Sequence, residues 1–283
     1  MECFRKGYMI MVKLIAIDMD GTLLNSQKEI PQENIAVIQE AARSGYKIVL
    51  CTGRMQTGVE PYFKQLGLAA EQEYAILNNG CSLHTINRDW QLLTYHDLNF
   101  NGVSYLYDLL EGYPEIDLTL TADRDYLVLA DQVSELVAYD ASLVFTQAQT
   151  VGLNDVKHAA KPVFQAMYLG ESDRLDAFQQ KFECKLAEKF TTVRSQPYIF
   201  EVMPQSITKA TGLKELAQKL RISRTDIMAI GDALNDLEML KAAGFSVAMG
   251  NASPEVKAAA DLVTGSNDDA GVAQAIAKYV LNK

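Results

Sequence analysis

The sequence has few basic residues for a chain of 283 residues. It contains 26 Lys and Arg residues and 36 Asp and Glu residues, which gives a net charge of −10. Proteins that bind DNA or RNA usually carry a basic surface that neutralises phosphates, so this balance argues against that class. It does not exclude an anionic small molecule, because a local site can be cationic inside an acidic surface.

Cysteine clusters and long apolar runs are also missing. The four cysteines are scattered and show neither a CxxC pair nor a zinc-ligand spacing: Cys3, Cys51, Cys81 and Cys184. We therefore expect reduced thiols and a cytoplasmic protein. No apolar run approaches the roughly 20 residues that a membrane-spanning helix needs, so no membrane partner is expected.

The first eleven residues, MECFRKGYMIM, are too short for a signal peptide with a cleavage site. The first apolar strand pattern begins only after them, which leaves Met9 or Met11 as an alternative start. We predict a disordered or loosely docked extension over residues 1–11.

The two ends of the chain alternate short apolar runs with helical patterns. The apolar runs predict buried strands at 12–17, 46–51, 74–77, 227–230, 245–249 and 262–263. Apolar residues at helical spacing predict helices at 31–44, 209–220 and 270–281, among others. This alternation is typical of a doubly wound parallel sheet. We predict a Rossmann-like α/β core from residues 12–83 and 198–283.

The middle of the chain has a different order of predicted strands and helices. Residues 117–122 and 125–130 are strand-like and are separated by a short polar turn, which predicts a β-hairpin. Further strand and helix patterns follow at 164–169, 172–189 and 190–194. Residues 84–197 are therefore predicted to form an inserted α+β cap domain with an antiparallel sheet.

Polar side chains follow the buried strands of the predicted core. In open α/β sheets, ligands bind beyond the carboxyl ends of the strands. The polar residues that come directly after predicted strands are Asp18 and Asp20, Thr52, Asn79, and Asp232. Polar residues in unrelated loops would not repeatedly follow apolar strands in this way. We therefore predict one site at this edge of the sheet.

The run Asp18-Met19-Asp20-Gly21-Thr22 carries most of the predicted chemistry. In an extended segment, side chains at i and i+2 point the same way, so the two carboxylates can share one pocket. Mg²⁺ suits such a site, because it binds a few carboxylates together with waters and substrate phosphate. Asp18 can attack phosphorus, and Asp20 can protonate the leaving oxygen and later activate water. An acidic surface loop is the alternative for an isolated pair of aspartates.

Three later segments add groups that suit a phosphate or a metal. Thr52-Gly53-Arg54 offers a hydroxyl, an N–H and a helix N-terminus, although alone it is more often an ordinary strand-to-helix turn. Lys209 can bind phosphate as a point charge. The segment GDALND adds two carboxylates and an amide after a buried strand, at Asp232, Asn235 and Asp236. Either aspartate alone could cap the following helix.

Together these segments resemble the four motifs of the haloacid dehalogenase superfamily. The motifs are DMDGTLL at 18–24, TGR at 52–54, Lys209, and GDALND at 231–236. The similarity extends from about residue 13 to residue 282. Asp20 separates the chain from the dehalogenase branch, and the long insertion before Lys209 resembles the Cof-type phosphatases with an α/β cap. The stretches at 194–204 and 268–281 look like the sugar-phosphate phosphatases of that group.

The resemblance implies a role for each motif residue. Asp18 is expected to be the nucleophile and a magnesium ligand, and Asp20 the general acid/base that also binds magnesium through its backbone carbonyl. Asp232 is expected to be the third magnesium ligand, with Asp236 orienting the site from just outside. The residues expected to bind phosphate are Met19 through its N–H, Thr52, Gly53, Lys209 and Asn235.

The sequence thus predicts a Mg²⁺-dependent phosphatase that hydrolyses a phosphate monoester through an aspartyl-phosphate. A sugar phosphate is the favoured substrate, and flavin mononucleotide and pyridoxal phosphate are the other candidates. Two alternatives stay open. One is a sugar phosphomutase, and the other is a catalytically idle module that only binds metal or phosphate. The expected partner is a small phosphorylated metabolite. A monomer suffices for activity, because all motifs lie on one chain.

Overall fold

The structure is a computed structural model that describes residues 4–5, 8–9, 12–68, 73–86, 90–159 and 161–283. The chain divides into two compact units. The first consists of Met1–Gly53, Glu60–Thr94 and Thr208–Lys283, and the second of Arg54–Val59 and Tyr95–Ile207. Every helix in the described ranges falls short of the length and apolar character needed to span a bilayer.

Strands and helices are numbered along the chain. The strands are β1 (Phe4–Arg5), β2 (Tyr8–Met9), β3 (Leu14–Asp18), β4 (Lys47–Cys51), β5 (Tyr74–Leu77), β6 (Ser82–Thr85), β7 (Leu92–Tyr95), β8 (Asp117–Ala122), β9 (Asp125–Val128), β10 (Ala148–Thr150), β11 (Gln165–Leu169), β12 (Phe190–Gln196), β13 (Ile199–Pro204), β14 (Ile227–Gly231), β15 (Phe245–Ala248) and β16 (Leu262–Val263). The helices are α1 (Gln32–Arg43), α2 (Glu60–Leu66), α3 (Phe100–Asp108), α4 (Glu135–Leu143), α5 (Leu153–His158), α6 (Ser172–Ala187), α7 (Lys209–Leu220), α8 (Leu237–Ala242), α9 (Pro254–Ala259) and α10 (Gly271–Tyr279).

The extension predicted over residues 1–11 contains a short pairing. Strands β1 and β2 pair antiparallel with each other. The other residues of this extension lie outside the described residues, so the predicted loose docking stays a prediction.

The first unit is built on a sheet whose described strands run in the order β16-β15-β14-β3-β4-β5-β6-β7. The strands from β16 to β5 are parallel, and β6 is antiparallel to β5. The chain passes from β3 outward to β5 and later returns to the other side of β3 with β14. Strands β3 and β14 therefore lie side by side where the strand order reverses, with Ile17 opposite Ile230. The predicted doubly wound α/β core is confirmed.

Apolar packing on both faces fixes the strand that carries Asp18. All five residues of β3 are buried. Leu14 and Ala16 belong to the cluster that packs against α7 and α8 through Leu213 and Met239. Because side chains alternate along a strand, Ile15 and Ile17 point to the opposite face. Each such side chain contributes about 1.5–3 kcal/mol when fully buried, so burial on both faces stabilises the strand that carries Asp18.

The second unit contains a separate sheet in the order β10-β9-β8-β11-β13-β12. Its pairs are antiparallel except for β9 and β10. The predicted hairpin is present as β8 and β9. One face of the sheet packs against α3 and α6, for example through Leu106 and Phe178, and the other packs against α4 through Val137.

The second unit is displaced along the sequence from the domain predicted at 84–197. Strands β6 and β7 extend the sheet of the first unit. Strand β13 pairs with β11 and β12, so the second unit continues to Ile207. Residues 54–59 also belong to it, since Met55 packs with Tyr126 and Arg54 donates to the Leu143 carbonyl at 3.2 Å. An apolar run such as β13 does not reveal which sheet it will join, because its pattern is the same in either.

Candidate active site

All the predicted site residues lie in the first unit. Asp18 is the last residue of β3 and is only 4% exposed. Its Oδ1 accepts a hydrogen bond from Lys209 Nζ at 2.6 Å, and the same ammonium donates to Asp236 Oδ1 at 2.7 Å. Lys209 opens α7 and is 1% exposed. A buried cation thus joins two carboxylates that are 218 residues apart (236 − 18) in the sequence.

The loop after β14 wraps around the Asp236 carboxylate. Its Oδ2 accepts the backbone N–H groups of Asp232 and Ala233, each at 3.0 Å. A Cβ on Gly231 would lie 2.7 Å from this side chain, so the loop closes tightly here. Both oxygens of Asp236 are therefore engaged by protein donors, which supports the predicted orienting role.

The turn after β3 contacts the loop after β14 at Asp232. The Thr22 hydroxyl donates to Asp232 Oδ1 at 2.7 Å. Gly21 has φ of +83°, and a Cβ there would lie 2.4 Å from Asp232 Oδ2. Only glycine combines this backbone conformation with so close an approach. Thr22 was not among the predicted site residues, and its place directly inside the aspartate motif was the available signal.

The carboxylates and the lysine shift one another's pKa values. Burial, with the neighbouring Asp236, raises the pKa of Asp18 well above its usual value, and Lys209 opposes the rise. Burial raises the pKa of Asp232 to about 6, although the Thr22 hydrogen bond lowers it. Burial alone would lower the pKa of Lys209, but Asp18 and Asp236 raise it above its usual value. The ammonium therefore stays charged.

The acidic cluster fits a divalent cation. One carboxylate oxygen from each of Asp18, Asp232 and Asp236 lies within 4.8 Å of the others. Asp18 Oδ2 is buried and has no hydrogen-bond partner among the described residues. A buried carboxylate oxygen without a donor is costly, and an oxygen-binding cation would satisfy it. The side chain of Asp236 completes this cluster, whereas the predicted ligand set has the Asp20 carbonyl in its place.

A second group of predicted residues lies at the ends of β4 and β5. Asp18 is opposite Cys51 in the parallel pair, so Thr52 follows at the same edge of the sheet. The Thr52 carbonyl accepts the N–H of Asn79 at 3.0 Å. The Asn235 side chain donates to Asn79 Oδ1 at 3.1 Å. The sequence placed Asn79 at this edge without assigning it a role.

Asp20 and Met19 lie in the turn that leaves β3. The Met19 carbonyl accepts the N–H groups of Thr22 and Leu24, which fixes the shape of the turn. The Asp20 carboxylate accepts from Lys28 Nζ at 2.7 Å. Lys28 was not predicted, because it lies outside the four motifs that the sequence shares with the family.

Gly80 lets the turn after β5 approach the start of α7. Its φ is +99°, and a Cβ would lie 2.0 Å from the Thr208 carbonyl oxygen. Gly45 has a similar φ of +92° but nothing within 4 Å. We expect Gly45→Ala to cost about 1–2 kcal/mol for the backbone conformation alone, and Gly80→Ala about 1–3 kcal/mol more for the clash. Urea unfolding of the two variants measures the difference in the free energy of unfolding. Equal losses would contradict a clash between a Cβ at position 80 and the Thr208 carbonyl.

Comparison with known proteins identifies the family of this chain. The sequence profile of the haloacid dehalogenase-like hydrolases matches residues 15–276. Phosphatase YwpJ of Bacillus subtilis (strain 168) is 34% identical, with 93% of this chain and 98% of that protein covered. The 5-amino-6-(5-phospho-D-ribitylamino)uracil phosphatase YcsE of the same organism is 31% identical, with 95% and 96% covered.

A solved structure shows the same fold. A haloacid dehalogenase-like hydrolase from Bacteroides thetaiotaomicron matches with a TM-score of 0.84 and 30% identity, over 94% of this chain and 99% of that chain. The sequence profile, the relatives and the fold agree over nearly the whole chain. The chain therefore belongs to the haloacid dehalogenase-like hydrolase family, as a phosphoric monoester hydrolase of the Cof type.

Proposed function

We propose that this protein is a Mg²⁺-dependent phosphatase that hydrolyses a sugar phosphate through an aspartyl-phosphate on Asp18. The observation that carries the proposal is the state of the Asp18 carboxylate. Lys209 holds one oxygen at 2.6 Å, while the other is buried without a hydrogen-bond partner in the described part of the chain. A nucleophilic carboxylate has to be oriented and has to keep an oxygen that no protein donor occupies.

The transfer runs in two steps. The Asp18 carboxylate attacks phosphorus in line, the bond from phosphorus to the ester oxygen breaks, and Asp20 gives its proton to that oxygen. Asp20 then takes a proton from water, which attacks phosphorus and releases inorganic phosphate and the Asp18 carboxylate. Lys209 offsets the negative charge beside Asp18 throughout.

We assign the phosphate and metal ligands to residues at the same edge of the sheet. We assign phosphate binding to the N–H of Met19, the loop at Thr52 and Gly53, Lys209, and Asn235. Asp18, Asp232 and the Asp20 carbonyl would hold Mg²⁺, and Asp236 would position Lys209 and the loop. When bound, Mg²⁺ supplies a positive charge that neutralises the carboxylates and the transferring phosphoryl group.

A sugar phosphate is the substrate class we favour. The relative YcsE is named for a substrate with a phosphorylated ribityl chain, which is a polyol phosphate. The inserted second unit is expected to act as the cap that sets specificity, as in the proteins that the sequence resembles. Which phosphorylated polyol or sugar is preferred depends on side chains of that unit.

Phosphate release from a panel of phosphorylated metabolites, with and without Mg²⁺, tests the proposal. We expect free phosphate from at least one hexose or pentose monophosphate. A phosphomutase would instead return the phosphoryl group to the sugar and give an isomeric sugar phosphate. Isomerisation without phosphate release would therefore contradict the proposal.

The pH dependence of metal binding gives a second prediction. The pKa of Asp232 is raised from 3.8 to about 6 on folding, so the folded state binds more protons in this window and stability falls as pH rises through it. Protonation also competes with a cation. We expect Mg²⁺ to raise the thermal unfolding midpoint more at about pH 8 than at about pH 5. Asp232→Asn should abolish most of this shift, and an equal shift at both pH values would contradict the prediction.

The role of Asp20 predicts a dependence on the leaving group. An alkyl phosphate needs a general acid, whereas p-nitrophenyl phosphate has a leaving group that departs unprotonated. We expect Asp20→Asn to lower kcat/KM about 10²–10⁴-fold for an alkyl phosphate and much less for p-nitrophenyl phosphate. Asp226→Asn, which removes an aspartate from the Lys13 ion pair, is the control and should leave both unchanged. Equal losses on both substrates would contradict the acid role.

A further inference from the structure

Asn79 occupies a central place among the residues assigned to the phosphate. It is 1% exposed and follows β5 in a turn with φ of +55°. Its Oδ1 accepts from Asn235 Nδ2 at 3.1 Å, and its backbone N–H donates to the Thr52 carbonyl at 3.0 Å. One residue thus contacts both the loop after β4 and the loop after β14.

The same carboxamide also lies against Gly53. A Cβ on Gly53 would be 3.1 Å from Asn79 Nδ2 and 3.2 Å from Oδ1. The amide plane therefore limits where the backbone of the TGR motif can lie. Three residues that we assign to phosphate binding, namely Thr52, Gly53 and Asn235, each contact Asn79, although 156 residues separate Asn79 from Asn235.

We propose that Asn79 is a positioning residue for the substrate phosphate. It holds the Asn235 carboxamide and the Thr52–Gly53 backbone in the arrangement that receives the phosphate oxygens. Preorganised donors bind an anion better than donors that must first be ordered, because the ordering is completed before binding. This inference rests on the proposed function, in which these residues bind the phosphate.

The neighbouring Asn78 provides a matched control. It is also 1% exposed and has φ of +50°, in the same turn. Its Nδ2 donates to Ser82 Oγ at 3.0 Å, within the same hairpin. If the asparagines only stabilise the turn, replacing either one should have the same effect.

The test compares Asn79→Gly with Asn78→Gly. Glycine accepts the positive φ of both positions without strain, so the substitution removes the carboxamide and little else. We expect Asn79→Gly to raise KM and the inhibition constant of inorganic phosphate about tenfold or more, as for the loss of a hydrogen bond that supports a charged group. The value of kcat should change less than KM. Asn78→Gly should leave the inhibition constant within about twofold.

Two further variants make the result decisive. Asn79→Asp keeps an acceptor for Asn235 but adds a negative charge beside the phosphate, so it should weaken phosphate inhibition more than Asn79→Gly. In an Asn235→Ala background, Asn79→Gly should raise the inhibition constant much less than it does in the wild type. A folded Asn79→Gly or Asn79→Asp protein with the wild-type inhibition constant would overturn the inference. A folded wild-type protein that neither binds nor releases phosphate would instead overturn the proposed function.

Discussion

Replacing Asp18 with asparagine is expected to abolish turnover while the protein stays folded. The variant keeps the size of the side chain at the end of β3 but loses the oxygen nucleophile. Removing the nucleophile of a covalent mechanism costs on the order of 10⁴-fold or more in kcat. Phosphate release under saturating substrate measures the loss, and circular dichroism with a thermal midpoint checks the fold.

The stability of the Asp18→Asn protein is part of the same prediction. Burial and the neighbouring Asp236 raise the pKa of Asp18, so its charged form is disfavoured in the folded state. We expect the metal-free variant to be no less stable than the wild type at neutral pH. Asp226→Asn, which removes a carboxylate from the exposed ion pair with Lys13, serves as a control with full activity. Substantial residual turnover in Asp18→Asn, with contamination excluded, would defeat the nucleophile assignment.

Replacing Lys209 with methionine is expected to damage both stability and activity. The ammonium lies between Asp18 and Asp236, and all three side chains are almost completely buried. Removing one partner of a buried ion pair leaves uncompensated charge and typically costs about 3–5 kcal/mol. Urea unfolding measures that loss. Turnover should also fall by about 10²-fold or more, because a charge that offsets the transferring phosphoryl group is gone.

The pH dependence separates this electrostatic cause from lost packing. Without Lys209, the pKa of Asp18 in the folded state should rise further, because the cation that opposes the rise is absent. When the pKa of a carboxyl group is higher in the folded state than in the unfolded state, the free energy of unfolding falls as pH rises between the two pKa values. The deficit of Lys209→Met should therefore shrink on acidification. Lys214→Met, an exposed position on the same helix, should change stability by about 0.5 kcal/mol or less at any pH. A deficit that is independent of pH would indicate packing alone.

Strongly patterned elements of the core could be predicted from the sequence. The helix expected at 209–220 is α7, and the strands expected at 74–77 and 262–263 are β5 and β16. These segments combine a clear hydrophobic period with local start and stop signals, so neighbouring residues determine them. The proximity of Asp18 and Asp232 could also be expected, because parallel strands present their carboxyl ends at one edge, whereas Lys209 was placed with them by the resemblance to the family.

Pairing between distant segments could not be predicted in the same way. Strand β13 has an apolar pattern that suits either sheet, and only its ladders with β11 and β12 place it in the second unit. The contacts of Asn79 with Asn235 and of Lys28 with Asp20 depend on side-chain positions that no local pattern encodes. The chemical roles of the site residues stay predictions until the variants are measured.

The stereochemistry of transfer at phosphorus tests the central claim most directly. A substrate carrying an isotopically chiral thiophosphate would be hydrolysed in isotopically labelled water, and the configuration of the released thiophosphate determined. Each in-line displacement inverts the configuration at phosphorus. Attack by Asp18 followed by attack by water makes two displacements, so we predict net retention. Net inversion would show a single direct attack by water and would contradict an aspartyl-phosphate intermediate.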